Sequence, residues 1–202
     1  SNAVQLLAEN HQMSDGDREL AEIVLRNTKR MNDTVNNVLE LSRRVPPALE
    51  SIDVSEWLSG VLKDFKESHS KSATLSIKGK IDEPVIADKN QMKRVLDNLI
   101  DNALRHSEVS TGDRTAALEI SRGAFPPQCF IDVIDDGDGV PESSQPRLFE
   151  PFFTTSPEGT GLGLYLCKEL CESNGVDIHY RRTTDGRSSF RLSLRLQRED
   201  AR

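Results

Sequence analysis

Pro46-Pro47 divides the chain. Consecutive prolines lack backbone donors and clash with the turn before them, so no helix crosses this point. Ahead of it, Leu20, Val24, Asn27, Met31, Thr34, Val38 and Leu41 alternate spacings of four and three, the seam of a coiled-coil-type helix over 17–44. Leu25, Val35 and Leu39 widen the apolar stripe. A helix with so wide a stripe is not stable alone. It calls for the helical segment that ends near Asn10 and for a second chain; the plainer alternative is a helix packed on its own domain. Asn27 and Thr34 sit in the seam and can set its register at some cost in stability. Residues 4–45 are therefore expected to form part of a dimerising helical hairpin, and 46–50 a linker. Ser1-Asn2-Ala3 reads as a cloning scar, which places the natural start upstream of Val4, and 198–202 as a tail.

Beyond the prolines the periodicity changes repeatedly. Ile52 and Val54 suggest a short strand. Ser55 can cap a helix through Trp57, Leu58, Val61, Leu62 and Phe65, an i, i+3/i+4 core face. Leu75 and Ile77 alternate with polar neighbours in a strand ending at Gly79, and 84–87 is another strand. Residues 108–113 read as a loop. Segments 116–121 and 128–134 read as paired strands with a turn at 123–127. A helix through Leu164, Leu166, Cys167, Leu170 and Cys171 ends at Asn174-Gly175. Strands 176–182 and 189–196 close at Asp185-Gly186. Strands and helices alternate without a regular βαβ rhythm. That predicts an α+β domain over 51–197, a two-layer sandwich with helices on one face of a mixed sheet.

The helix expected over 88–107 carries two different faces. Asp88 can cap its first turn, with Gln91 three residues on, as in a capping box. Met92, Val95, Leu96, Leu99, Ile100 and Ala103 make a core face. Asn98, Asn102, Arg105 and His106 share the other. An amide carbonyl is a hard oxygen ligand for Mg²⁺, and Arg and His can hydrogen-bond phosphate oxygens. This face suits a magnesium triphosphate; the alternative is an ordinary amphipathic surface helix.

Two glycine segments follow. Asp135-Asp136-Gly137-Asp138-Gly139 ends the strand containing 130–134. Its glycines permit close backbone approach to a ligand, and a carboxylate at the strand end can accept a hydrogen bond from an exocyclic amine. A decorated tight turn is the alternative; a calcium loop is excluded, because the twelve-residue ligand pattern is absent. Gly159-Thr160-Gly161-Leu162-Gly163-Leu164 opens a helix, whose N-terminal N–H groups can hold phosphates. It has neither the Lys of a Walker A loop nor the GxGxxG spacing of a dinucleotide fold. Between them, Phe149, Phe152 and Phe153 are expected to anchor a loop over 143–158 that moves as a lid.

Composition narrows the classes. Net charge is −7 with a pI near 5.2, which argues against general affinity for nucleic acid or anionic membranes. No apolar run approaches the ~20 residues of a membrane span, so a membrane anchor would lie elsewhere. Cys129, Cys167 and Cys171 lack paired spacing. They fit a reducing cytoplasm and core packing better than a metal site.

NLIDNALRHS, DDGDG, LFEPFFTT and GTGLGLYL resemble, in this order, the N, G1, F and G2 boxes of sensor histidine kinases. Their catalytic domain has the ATPase fold shared with gyrase, the 90 kDa heat-shock chaperone and the mismatch-repair protein MutL. The resemblance covers about 51–197. Ahead of it, MNDTVNNVLELSRR and the prolines resemble the sensor kinases that regulate type IV pili. It implies ATP or ADP with Mg²⁺. Asn102 would ligate the metal, with Asn98 beside it. Arg105 and His106 would contact phosphates, and Asp135 the adenine amine. Gly137 and Gly139 would line the base pocket. Gly159, Gly161 and Gly163 would serve the lid hinge and the phosphates, and Phe153, Thr160 and Leu162 would border the nucleotide. It also implies a homodimer, a response-regulator receiver domain as partner, and a cytoplasmic location.

One departure stands out. The family's phosphoacceptor His is followed by Glu and, a few residues on, Pro; none of His11, His69, His106 and His179 has that context. The acceptor is expected upstream of Val4, so no residue here is assigned a catalytic role. Two rivals share parts of the pattern. An anti-sigma type serine kinase has the ATPase fold but no heptad hairpin. The intact Asn102, Asp135 and glycines of the second glycine segment argue against a non-catalytic nucleotide-binding module.

Overall fold

The computed structural model describes residues 15–43, 45–68, 73–156 and 159–197. His11, His69 and the helical segment expected before residue 12 lie outside them. The first element is a long helix, α1 (Asp15–Arg43). Its seam stays open among the described residues: Leu20, Val24, Met31 and Val38 are 62%, 47%, 68% and 47% exposed. Asn27 and Thr34 turn their polar groups onto their own helix, donating to the carbonyls of Ile23 (2.9 Å) and Arg30 (2.8 Å).

The remaining elements make two layers. Strands β2 (Thr74–Lys78), β4 (Thr115–Gly123), β5 (Gln128–Asp135), β7 (Ser188–Arg195) and β6 (Asp177–Arg182) lie side by side in that order. β2 pairs parallel with β4, and every other pairing is antiparallel, so the sheet is mixed as predicted. Helices α2 (Val54–Ser68), α3 (Lys89–Thr111) and α4 (Gly163–Ser173) pack on one face. Leu58, Phe65, Val95, Leu99, Leu118 and Ile131 are among the residues they bury with the sheet. All six core residues predicted for α3 are at most 4% exposed. The three cysteines are buried in this core, which pushes the Cys129 and Cys171 thiols up to about 12. The opposite face of the sheet carries a polar pair among apolar neighbours: Arg191 grips Asp132, its register partner across β5 and β7, and stacks on Phe130.

Three local expectations are corrected. Val54 begins α2 instead of a strand; the short strand is β1 (Glu50–Ile52), which pairs antiparallel with β3 (Val85–Ala87). Ser55 is not the cap of α2. Asp53 is, accepting the Glu56 N–H at 2.9 Å, while the Ser55 hydroxyl donates to the Ile81 carbonyl. Residues 108–111 are helical, because α3 runs on until Gly112, at φ +83°, ends it with its N–H on the Glu108 carbonyl.

The start of α3 is a knot. The Asp88 carboxylate accepts from the N–H groups of Asn90 (2.9 Å), Gln91 (3.0 Å) and, 40 residues back along the chain, Ala48 (2.8 Å). The capping box is only half made, since Gln91 points away. Its side chain donates to the Val45 carbonyl and accepts from Asn174, whose own carbonyl takes the Asp88 N–H. Burial alone would raise the pKa of Asp88; the three N–H donors and Arg94 outweigh it and hold the carboxyl below its ordinary value. Asp88→Ala is expected to cost about 2 kcal/mol at neutral pH, a lost cap plus a lost charged hydrogen bond. This contribution is present above the unfolded carboxyl's pKa, about 3.9, and is lost as pH falls through the lower folded value. Urea unfolding at pH 7 and at pH 3 checks it: the gap between variant and parent should shrink in acid.

Candidate nucleotide-binding site

α3 ties the two glycine segments together. At one point along it, the Asn98 carbonyl oxygen lies 3.2 Å from where a Cβ on Gly163 would project, so the start of α4 rests on the amide face of α3. Two turns further on, a Cβ at Gly137 would sit 3.0 Å from the His106 Cβ and 2.7 Å from an Asp135 carboxylate oxygen. The residues the sequence grouped are thus brought to one side of one helix, with a glycine loop at each end.

The polar groups there are only partly satisfied. The Asn98 amide donates to the Arg94 carbonyl (3.0 Å), which leaves its oxygen facing the α4 terminus. The Asn102 oxygen takes a short hydrogen bond from Arg105. The Arg105 Nε is buried without a partner. α4 begins at Gly163 with no side-chain cap, so its first N–H groups seek an acceptor elsewhere. An orphaned guanidinium N–H and an uncapped helix start on the same face fit a phosphate-bearing ligand. His106 keeps an exposed edge. Desolvation of the rest of its ring and the neighbouring Arg105 charge lower its pKa, with Asp135 opposing, so it is neutral at pH 7.

At the other end, Asp135 is 5% exposed and closes β5. Its carboxylate accepts the Gly137 N–H at 2.9 Å and a hydrogen bond from Ser188, its register partner on β7. Burial raises its pKa, and these donors and His106 only partly offset that. Unused lone pairs remain for a further donor. The loop after it hangs on side chains that sequence reasoning did not single out. The Asp136 N–H donates to Ser107 (3.0 Å) and the Asp138 N–H to Ser110 (3.2 Å). Thr115 donates to the Asp136 carboxylate (2.7 Å). Ser107 and Ser110 stand within the helical register after His106, the one signal that would have found them.

The segment expected to serve as a lid is more ordered in its first half than the sequence suggested, with a short 3-10 turn at Gln145–Arg147. Of the three phenylalanines, Phe149 meets Phe190 edge-on (6.2 Å between centroids) and Phe153 lies under the Arg147 guanidinium (4.5 Å). Phe152 is 69% exposed and does not anchor through its ring. It anchors through backbone: at φ +64° its N–H donates to the Gly161 carbonyl at 2.9 Å. Thr160 accepts the Leu162 N–H (3.3 Å), and Leu162 is 2% exposed, so it wedges the segment into the protein. Gly159 packs against the Thr154 side chain, where no Cβ would fit.

α1 reaches this side of the domain. Asn36, Asn37 and Leu39 face Arg94, Asp97, Asn98 and Leu166 across a cleft of about 400 Å³.

Residues 87–198 match the profile of the histidine kinase-, DNA gyrase B- and HSP90-like ATPases. Sensor protein kinase PilS of Pseudomonas aeruginosa is 40% identical over 195 residues, 96% of this chain and 37% of that protein. Sensor histidine kinase GtrS of the same organism is 32% identical over 74% of this chain and 29% of its own length. The chain thus spans about a third of the curated relatives it matches. Among solved structures, full-length ShkA in complex with AMPPNP aligns with a TM-score of 0.68 at 20% identity, over 95% of this chain and 42% of that one. The catalytic domain of the histidine kinase ThkA aligns at 0.57 and 26% identity, over 72% of this chain and 94% of that one.

Proposed function

Because the chain belongs to the sensor histidine kinase branch of the histidine kinase-, DNA gyrase B- and HSP90-like ATPases, we propose that residues 51–197 are its ATP-binding catalytic domain. The intact protein would move the γ-phosphoryl of ATP to a histidine, then to an aspartate of a response-regulator receiver domain. The observation that carries this reading is the buried, unpartnered Arg105 Nε beside Asn102, on the helix that also meets Asp135 and the uncapped start of α4. Asn102 would hold Mg²⁺, with Asn98 in support, and Arg105 and neutral His106 would contact phosphates. Asp135 would take the adenine amine; Gly137, Gly139, Gly159, Gly161, Gly163, Phe153, Thr160 and Leu162 would shape the pocket. A bound Mg²⁺ supplies neutralisation of charge on the phosphate oxygens. The chain's own part is positioning: it fixes base and phosphates so that an acceptor can be brought in line.

The acceptor itself would come from outside the described residues, since His106 belongs to the pocket and His179 stands on β6. Residues 4–45 would be part of a dimerisation hairpin and 46–50 the linker; the open apolar seam of α1 supports a homodimer, which sedimentation at rising concentration tests. The identity to PilS supports the pilus-type subgroup read from the α1 sequence. No helix among the described residues is long and apolar enough to cross a membrane. We place this portion in the cytoplasm, tethered if at all by segments elsewhere in the protein.

Asn102→Ala is expected to weaken Mg-ATP binding about tenfold or more by calorimetry, the loss of one charge-assisted ligand, and to affect ATP without Mg²⁺ far less. Equal affinity for Mg-ATP in both proteins would sink the metal assignment. Acid-labile phosphate on the full-length chain, formed from ATP, tests the reaction class.

A further inference from the structure

The loop that follows Asp135 is braced from a strand that no nucleotide motif includes. Arg182 ends β6, and its guanidinium spans two turns. Nη2 donates to the Asp138 carbonyl at 2.6 Å, and Nη1 to the Gly186 carbonyl at 2.9 Å. Two residues earlier on the same face of β6, the Tyr180 hydroxyl accepts the Val140 N–H at 3.0 Å. Tyr180 is itself held edge-on against Phe190, with ring centroids 5.5 Å apart.

Gly139 lies between these two side chains. At φ +78° its missing Cβ would overlap the Arg182 guanidinium and come within 2.7 Å of the Tyr180 hydroxyl. The second glycine of DDGDG is therefore bare because β6 presses against it. Asp138 is held from both sides: its N–H by Ser110 at the end of α3, its carbonyl by Arg182. Arg187, at the far side of the same turn, stands 3.8 Å from the Asp136 carboxylate. Residues 136–140 are clamped between α3 and the β6–β7 turn, and the clamp fixes where Gly137 lies against the Asp135 carboxylate.

We propose that Arg182 is a positioning residue for base recognition: it holds residues 136–140 so that the pocket at Asp135 selects a purine bearing an exocyclic amine. The inference rests on the nucleotide reading above. It acts through the loop, so it should alter discrimination between bases more than affinity for the phosphates. A guanidinium is needed because one planar group must serve two carbonyls at once.

The test is calorimetry of ATP and of inosine triphosphate, which lacks the amine, against wild type, Arg182→Gln and Tyr180→Phe. Wild type should prefer ATP. Arg182→Gln should lose about tenfold in ATP affinity, the order expected for a misplaced hydrogen-bond acceptor, and less than about twofold in inosine triphosphate affinity. The preference should narrow accordingly. Tyr180→Phe, which keeps the ring and removes only the acceptor for Val140, should narrow it in the same direction; if Arg182→Gln does not fold, this variant decides. An unchanged preference, or equal losses for both nucleotides, would overturn the inference. Wild type that binds neither nucleotide would overturn the nucleotide reading and this inference with it.

Discussion

Asp135→Asn is expected to lower ATP affinity by roughly a hundredfold, the order set by one hydrogen bond to a charged group together with the donor it leaves unpaired. The carboxylate meets donors on every side: the Gly137 N–H at 2.9 Å, Ser188, and the proposed adenine amine. An asparagine offers one acceptor oxygen and turns an NH₂ toward one of those donors. Buried at 5% exposure, that mismatch has no water to relieve it. The shape of the side chain is conserved, so the fold should survive while affinity collapses. A second signature follows from the raised pKa of Asp135. ATP binding by the parent should weaken on acidification at a higher pH than an ordinary carboxylate would give, because protonation removes the acceptor. The Asn variant should lack that acid limb. Titration calorimetry across a descending pH series, on parent and variant together, measures both effects.

Gly161→Ala is expected to be comparably severe for a different reason. Gly161 adopts φ +69°, and a Cβ there would lie 2.7 Å from the Cα and carbonyl oxygen of Phe152. Those atoms are backbone and cannot swing aside. The left-handed conformation costs an alanine about 1–2 kcal/mol before any clash, and strain of this kind reaches about 3 kcal/mol. The Phe152 N–H to Gly161 carbonyl bond should break, releasing Phe152 from the start of α4. ATP affinity should fall by about two orders of magnitude if that strain is borne by the bound state. Gly175→Ala is the control. Gly175 has nearly the same φ, +65°, but open space around it and a position beyond the far end of α4. It should lose about 1 kcal/mol of stability and keep its ATP affinity. Similar affinities for the two variants would show that the crossing at Phe152 does not govern the site.

What the sequence revealed, and what it hid, follows from the range of the interactions. The two faces of α3 were legible because helix periodicity is local; its core residues and Asn98, Asn102, Arg105 and His106 separate as the spacing requires. The glycine segments were legible because their backbone demands are local too. The cap of α2 was misread because Asp53 and Ser55 are both good caps, and only the contact of Ser55 with Ile81 decides between them. Asp88 could be seen as a cap but not as the anchor of Ala48, since Asn174 and Gln91 complete that knot from 86 and 3 residues away. Arg182 was invisible for the same reason. Its partner Asp138 lies 44 residues earlier, and an arginine at a strand end carries no signal of what it will clamp.

The pair Asp132–Arg191 has a consequence for how the sheet finds its alignment. In β7, Phe190, Leu192 and Leu194 face the helices, while Ser189, Arg191 and Ser193 face away. A slip of one residue against β5 would drive Arg191 into the apolar layer, and hydrophobicity alone forbids it. A slip of two would leave every apolar side chain on its proper face, so hydrophobicity is blind to it. The ion pair is not: displaced by two, Arg191 would stand opposite Phe130 or Ile134, and Asp132 would face a serine on β7 and Glu119 on β4 with its cation gone. In the central pairing of the sheet, then, one buried carboxylate separates the native alignment from the misalignment that its greasy side would tolerate.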